Sequence, residues 1–134
     1  MPIFELTKNE FATESQVQVY NLSIDGNCQF EAFASNLTKE TKSEIKKISI
    51  SIWQLSANRK PRNRNHIKGK GLEVCRELKT KNLRLYYLIL NPYGLVICLG
   101  GQKTKQKKDI AALKTLKNKI LKYKETHGGL EIVS

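Results

Sequence analysis

The sequence predicts a small α+β domain in which helices pack on one face of an antiparallel β-sheet. The chain has 134 residues, which suits one domain with a single hydrophobic core. Apolar residues alternate with polar ones in some short segments and recur every three or four residues in others. Turn sequences containing Pro, Gly or Asn separate these segments. We therefore expect one domain over residues 1–134, with the element order β-α-α-β-β-β-α.

The N-terminal half predicts one strand followed by a helical hairpin. Residues 16–22 alternate in polarity as a half-buried strand does, whereas the first dozen residues show no clear pattern and are expected to be irregular. A short helix is predicted by the helical spacing of Phe30, Phe33, Ala34 and Leu37. A second helix over residues 39–55 is predicted by Ile45, Ile48, Ile52 and Leu55. The short link between the two favours an antiparallel pair.

The C-terminal half predicts a basic loop, three strands and a last helix. The loop covers residues 59–71, which contain six cations, no acid, one Pro and two Gly. Strands are expected over residues 72–80, 83–90 and 95–99. Asp109 is placed as the N-cap of the last helix, which has apolar residues at helical spacing and ends before Gly128.

The turns between the three predicted strands fix which residues lie opposite one another. The two-residue loop Lys81-Asn82 pairs Lys79 with Arg84. A β-turn over residues 91–94 pairs Leu90 with Leu95, Leu88 with Ile97, Tyr86 with Leu99 and Arg84 with Gly101. The like charges of Lys79 and Arg84 repel one another unless an anion lies between them. A surface ion pair between Glu77 and Arg84 is equally compatible with this register.

The distribution of charge predicts a polyanionic partner. Residues 1–58 contain five lysines and seven acids, a net charge of −2, whereas residues 59–134 contain nineteen cations and five acids, a net charge of +14. A one-sided field of this size favours contact with phosphates and release of their counterions. A merely soluble basic protein is the alternative.

Basic residues, the Gly100-Gly101 pair and an aromatic ring are expected to converge at one end of the sheet. The glycines would leave backbone N–H groups open to an anion, and Tyr86 shares the face of Arg84 and offers a ring for stacking. Candidate RNA-binding residues are Arg59, Arg62, Arg64, Lys79, Tyr86, Lys105 and Lys107. His66 is a candidate proton-transfer group, although a solvent-exposed loop histidine is the simpler interpretation. Together these residues predict a clamp for the phosphodiester backbone of a single-stranded nucleic acid.

Several other classes of protein are not indicated. The chain has no paired-carboxylate metal site, no Ser/His/Asp set and no phosphate-binding glycine loop of the usual length, so we expect neither a metal nor a cofactor. Three scattered cysteines without a C-x-x-C motif suggest reduced thiols in a cytoplasmic protein. No apolar run approaches the length of a membrane span, and no secretory signal is recognisable.

Three stretches in the second half resemble the RelE/HigB superfamily of toxins, and within it the phage-derived addiction module killer branch. They are residues 71–79, 83–87 and 95–110, the last of which reads LVICLGGQKTKQKKDI. In that branch an E-L-R-like strand precedes an R-x-Y/F strand, and the next strand ends in G-G-x-K-x-x-Q-x-x-D-I before a final helix. The resemblance covers about residues 68–123. It implies a RelE-like fold and a toxin that inhibits translation by cleaving mRNA in the ribosomal A site, through metal-independent attack of the 2′-OH.

The resemblance also implies catalytic residues and a partner. Arg84 matches the phosphate-stabilising arginine of the family, and Lys103 lies in the basic segment after the last strand. Lys68 and Lys70 lie just upstream of the active lysines of several members, and Glu77 stands where some members have one of a pair of lysines. A neighbouring antitoxin, often a helix-turn-helix DNA-binding protein in this branch, would neutralise the toxin.

Two other functions stay open on the sequence. A ParE-type toxin shares the fold and poisons gyrase without a ribonuclease clamp, and a non-catalytic RNA- or ribosome-binding module would need only the basic surface. The net charge of +14 in the second half and the position of Arg84 beside the glycine pair favour RNA cleavage.

Overall fold

A mixed β-sheet with helices on both faces forms the fold. The computed structural model describes residues 2–133. Its strands are β1 (Phe4–Lys8), β2 (Val19–Ile24), β3 (Asn27–Cys28), β4 (Arg64–His66), β5 (Cys75–Lys79), β6 (Leu83–Leu90), β7 (Gly94–Gln102) and β8 (Glu131–Val133). Its α-helices are α1 (Gln29–Ser35), α2 (Ile45–Ser56) and α3 (Gln106–His127), with single 3₁₀ turns at Lys42–Glu44 and Lys103–Lys105. The α+β class is confirmed: two helices precede the three-stranded β5–β6–β7 meander, and a C-terminal helix follows it.

The sequence predicted an antiparallel sheet, but the observed sheet is mixed. Its strand order is β4-β5-β6-β7-β2-β1-β8, with β3 paired to β2. β2 runs parallel to β7, and β1 runs parallel to β8. Parallel neighbours need long connections. The segment between β2 and β7 contains α1, α2 and β4–β6, and nearly the whole chain separates β1 from β8. The parallel pairs therefore join strands that are far apart in the sequence.

The helices cover both faces of the sheet, and the prediction of a single covered face is wrong. One core contains Leu113 and Ile120 of α3, and the other contains residues of α1 and α2 such as Phe33 and Ile52. β6 lies between them with seven of its eight residues buried. Its nearly continuous apolar sequence is typical of a strand that is buried on both sides.

The N-terminal dozen residues are also more ordered than expected. Residues 4–8 form β1, in which Phe4 and Leu6 are buried on the face covered by α3. They alternate with Glu5 and Thr7, so the period-two pattern of a half-buried strand was present in the sequence. β1 pairs with β2 over five residues and forms the bridge to β8.

The predicted register of β5, β6 and β7 is correct at the end of the sheet that contains Arg84. Lys79 pairs with Arg84, and Arg84 pairs with Gly101, as expected. At the other end of these strands the Tyr93 N–H donates to the Leu90 carbonyl (2.8 Å), so the β6–β7 turn begins one residue earlier than predicted. Leu90 therefore pairs with Gly94 and Leu88 with Val96, and the predicted Leu90–Leu95 and Leu88–Ile97 pairs are wrong. A β-bulge between Tyr86 and Tyr87 absorbs this one-residue offset.

The glycine pair Gly100-Gly101 makes room for two helices. A Cβ atom on Gly100 would lie 2.5 Å from the ring of Phe33 in α1, and one on Gly101 would collide with the Asp109 carboxylate in α3. α3 begins at Gln106, so Asp109 lies in its first turn and is not the N-cap. The Cα hydrogens of the two glycines thus face α1 and α3, while both glycines stay half-buried and line a separate cavity of about 410 Å³ with Lys105 and Lys108.

The Glu44 carboxylate fastens the β5–β6 turn to the start of α2. It accepts hydrogen bonds from the Thr80 hydroxyl, from the Asn82 backbone N–H (2.9 Å) and from the Asn82 amide (2.8 Å). Burial raises the pKa of Glu44, but the hydrogen bonds from Thr80 and Asn82 outweigh it and hold the pKa below the ordinary value of 4.5. The ionised carboxylate therefore stabilises the fold at neutral pH.

We predict that Glu44→Gln destabilises the protein in a pH-dependent way. Hydrogen bonds to a charged acceptor contribute about 2 kcal/mol, so the variant should lose about that much free energy of unfolding at pH 7. Because the folded-state pKa is depressed, this stability is present above pH 4.5 and is lost as the pH falls through the folded value. Urea unfolding at pH 7 and pH 3 tests this, and an equal deficit at both pH values would contradict it.

No helix within residues 2–133 combines the length and the apolarity needed to cross a bilayer. The three cysteines are free thiols, as predicted: Cys75 and Cys98 are buried and Cys28 is half-buried.

Candidate nucleic-acid interface

An open groove of about 910 Å³ lies where the β5–β6 hairpin, one face of α2 and the start of the basic loop meet. Eight cations line this basic groove: Lys47, Arg59, Lys60, Arg62, Lys79, Lys81, Arg84 and Lys103. Its other lining residues are Ile50, Ser51, Gln54, Asn63 and Thr80, so no carboxylate from the described residues lines it. The cations of the groove attract a polyanion, and no carboxylate among its described lining residues repels one.

Arg84 is the most firmly held cation of the basic groove. Only 8% of it is exposed, and its Nη1 donates to the carbonyl oxygens of Thr80 and Leu83, both at 2.8 Å. Its Nε is buried without a partner in the described residues. The guanidinium is thus fixed at the end of the hairpin next to Lys79, its partner in the strand register. A fixed cation of this kind can stabilise charge that develops on a phosphate.

Asn63 ties the start of the basic loop both to α2 and to the β5–β6 hairpin. Its side-chain oxygen accepts a hydrogen bond from Ser51 of α2 (3.0 Å), and its amide donates to the Lys79 carbonyl (3.0 Å). The Lys79 N–H in turn donates to the Asn63 carbonyl (3.0 Å). These three bonds position Arg59, Lys60 and Arg62 over the groove.

The other cations predicted for the site lie elsewhere. Lys68 and Lys70 are exposed on a loop whose neighbours Ile67 and Leu72 pack into the core under α3. Three further candidates do not line the basic groove: Arg64, Lys105 and Lys107. The part of the basic loop after Asn63 turns away from the groove, because β4 pairs with β5 at the edge of the sheet.

His66 lies on β4, exposed, and pairs with Arg76 across the sheet edge. The positive charge of Arg76 lowers the pKa of His66, and partial burial and the charges of Arg64 and Lys60 lower it further. These neighbouring charges favour the neutral form of the His66 imidazole. It does not line the basic groove.

Glu77 and Tyr86 are buried beneath α3, and neither can touch RNA in this conformation. Glu77 is 6% exposed and accepts hydrogen bonds from the Gln106 amide (2.9 and 3.2 Å), not an ion pair from Arg84. Tyr86 is 0% exposed, and burial raises the pKa of its hydroxyl. The expectation that Tyr86 offers a stacking ring is wrong because α3 covers the face that it shares with Arg84.

We predict that Tyr86→Phe is tolerated or stabilising. The Tyr86 hydroxyl is buried without a hydrogen-bond partner in residues 2–133. An unpaired buried hydroxyl costs about 1 kcal/mol or more, so its removal should raise the free energy of unfolding by about that amount. Thermal melting tests this prediction, and an RNA-binding titration should show no change. A stable variant with impaired RNA binding would indicate that Tyr86 does reach the ligand.

Three groove cations did not enter the predicted site: Lys47, Lys60 and Lys81. Lys60 belongs to the basic loop predicted over residues 59–71, and Lys81 was assigned only to the predicted turn Lys81-Asn82. Lys47 lies on α2 one turn before Ser51, and helical periodicity could place it on the polar face but not beside the hairpin.

Comparisons of the chain with protein-family models, with curated proteins and with solved structures gave no match. Within residues 2–133, no three His, Cys, Asp or Glu side chains come together in a group that could hold a metal ion.

Proposed function

We propose that this protein is a cytoplasmic toxin of a toxin–antitoxin pair, a ribosome-dependent endoribonuclease that binds mRNA in the basic groove. The observation that carries RNA binding is the meeting of eight cations, with no carboxylate among the lining residues described, in one groove. Surface lysines on a merely soluble protein have no reason to converge in this way. The cleavage step rests on the resemblance over residues 68–123.

The element order supports the same proposal. From β2 onward the chain runs through a helical hairpin, the β5–β6–β7 meander and α3. This is the β-α-α-β-β-β-α order that the resemblance implies, with β1, β3, β4 and β8 as additions.

In this proposal the groove cations hold a phosphodiester and neutralise its transition state. The 2′-oxygen attacks phosphorus, the bond to the 5′-oxygen breaks, and a 2′,3′-cyclic phosphate and a 5′-hydroxyl result. Arg84 donates to the phosphate oxygens as their charge grows, which is worth about a hundredfold to a thousandfold in rate. A lysine ammonium such as that of Lys79 or Lys103 can protonate the leaving 5′-oxygen. In this proposal the 2′-OH proton passes to a group of the ribosome or to water as the 2′-oxygen attacks, which accounts for the dependence on the ribosome.

The proposed antitoxin would cover the basic groove. A +14 half-chain attracts an acidic segment through charge complementarity. A helix-turn-helix protein carrying such a segment fits the resemblance. A complex that leaves both the groove and the path to the ribosome free would contradict this part of the proposal.

Induction of the chain without its partner, followed by mapping of mRNA 5′ ends, tests the proposal. We expect growth arrest, with new 5′-hydroxyl ends inside translated reading frames and none in untranslated transcripts. Arg84→Gln should abolish these ends. Intact mRNA together with supercoiling defects would overturn the proposal in favour of gyrase poisoning.

A non-catalytic RNA- or ribosome-binding module is the second candidate. One observation favours it: His66 and Glu77, which have the ordinary groups for proton transfer, do not line the groove. Translation arrest with intact mRNA in the same experiment would select this function.

A further inference from the structure

The two walls of the basic groove differ in chemistry. One wall is a single face of α2, where Lys47, Ile50, Ser51 and Gln54 recur at helical spacing. The opposite wall consists of Lys79, Thr80, Lys81 and Arg84 of the hairpin together with Lys103. The hairpin wall thus has four cations, whereas the α2 wall has one. Phosphates are attracted to the hairpin wall.

The α2 wall presents an apolar side chain to solvent. Ile50 is 51% exposed, although it lies beside a strongly charged surface. An exposed isoleucine in a cationic groove does nothing for binding phosphate, but it offers apolar contact to the flat face of a base. Gln54, one turn further along the helix, has an amide that can pair with a base edge.

Arg59 lies at the end of the α2 wall, where its guanidinium group contacts Trp53. Its guanidinium lies over the ring of Trp53, 5.3 Å from the ring centroid. This contact is a cation–π interaction, and the Arg59 side chain is otherwise exposed and so accessible to a ligand. Guanidinium planes of this kind are stacking platforms for unpaired bases.

The end of α2 holds Arg59 in this position. Asn58 adopts a left-handed conformation (φ 58°), and its N–H donates to the Leu55 carbonyl at 3.0 Å. The Arg59 N–H donates back to the Gln54 carbonyl at 2.9 Å, which completes a Schellman motif. The backbone therefore folds back and directs Arg59 over Trp53. The platform exists before any ligand binds.

We infer that the groove takes single-stranded RNA in one orientation, with its phosphates on the hairpin wall and a base stacked on Arg59 beside Ile50. This inference deepens the proposed function and rests on it. Duplex RNA is excluded because its bases are already stacked and paired, and so cannot reach the α2 wall.

Binding of three 10-nucleotide probes tests the inference: an oligouridylate, an abasic ribose-phosphate strand of the same length, and an RNA duplex. The wild-type protein should bind the oligouridylate at least fivefold more tightly than the abasic strand, since stacking of one base contributes that much or more. The duplex should bind no better than the abasic strand. Trp53, the single tryptophan of the chain, should change its fluorescence with the oligouridylate only.

Arg59→Lys keeps the positive charge but removes the flat guanidinium group, and Arg76→Lys, at an arginine that does not line the groove, is its matched control. We expect Arg59→Lys to weaken oligouridylate binding fivefold or more and to leave abasic binding unchanged, while Arg76→Lys changes neither by more than twofold. Equal wild-type affinity for the oligouridylate and the abasic strand would overturn the inference and leave phosphate binding intact. Failure of every probe to bind would overturn the proposed function itself.

Discussion

Arg84→Ala should reduce the proposed toxic activity by about a hundredfold to a thousandfold, the largest effect that we expect of any single substitution. The reason is that a fixed donor aimed at a phosphate typically contributes that much to the rate. The structure adds a second consequence, because Arg84 is buried and its Nη1 serves the carbonyls of Thr80 and Leu83. Loss of that donor should lower the free energy of unfolding by about 1–3 kcal/mol. Survival of expressing cells and thermal melting of the purified protein measure the two effects.

Arg84→Gln separates these two consequences. The glutamine amide ends two bonds short of the Nη1 position, but it keeps a polar donor and most of the side-chain packing at the end of the hairpin, and it has no charge for a phosphate. We expect the variant to melt above Arg84→Ala and to be as inactive as Arg84→Ala. A stable Arg84→Gln protein that remains toxic would show that the basic groove is not the active site.

Neutralising two exposed groove cations should weaken single-stranded RNA binding by about 25-fold at 0.1 M salt, because each lost phosphate contact costs about fivefold there. The variant is Arg62→Gln with Lys81→Gln, whose side chains line the groove and are exposed. The slope of log affinity against log salt should also become shallower by about 1.4. Fluorescence anisotropy over a range of salt concentrations measures both quantities.

The matched control removes the same charge from a distant surface. Lys119 and Lys122 are exposed on α3 and do not line the groove. Lys119→Gln with Lys122→Gln should change the affinity by less than twofold. If both pairs weaken binding equally, RNA contacts the protein through its general positive charge and not through the groove.

Local patterns in the sequence were sufficient for much of the fold. The periodicity of α1 and α2, the bounds of β6 and the Lys79–Arg84 pairing follow from neighbouring residues, and the structure confirms them. The parallel pairs β2–β7 and β1–β8 join residues far apart in the chain, and no local pattern encodes such partners. The run Leu85–Leu90 did contain the information that β6 is buried on both sides, which places α3 over the face of Tyr86.

For the candidate site, sequence reasoning identified the right end of the sheet but not the full set of residues. Arg84 and Lys79 followed from strand register, and Arg59 and Arg62 from the composition of the loop. Register could not show that Asn63 ties the start of that loop to α2 and to Lys79, since these are contacts between elements distant in sequence. For the same reason Lys47 on α2 was not assigned to the site.

Photocrosslinking of purified protein to a single-stranded RNA that contains 4-thiouridine tests the central claim most directly. Mass spectrometry of the crosslinked peptides identifies the surface that holds the RNA. We expect crosslinks within residues 47–62, 79–84 and around Lys103, the segments that line the basic groove. We also expect Arg84→Gln to reduce them and Lys119→Gln with Lys122→Gln to leave them unchanged. Crosslinks confined to the outer face of α3 would contradict the assignment of the groove as the RNA-binding site.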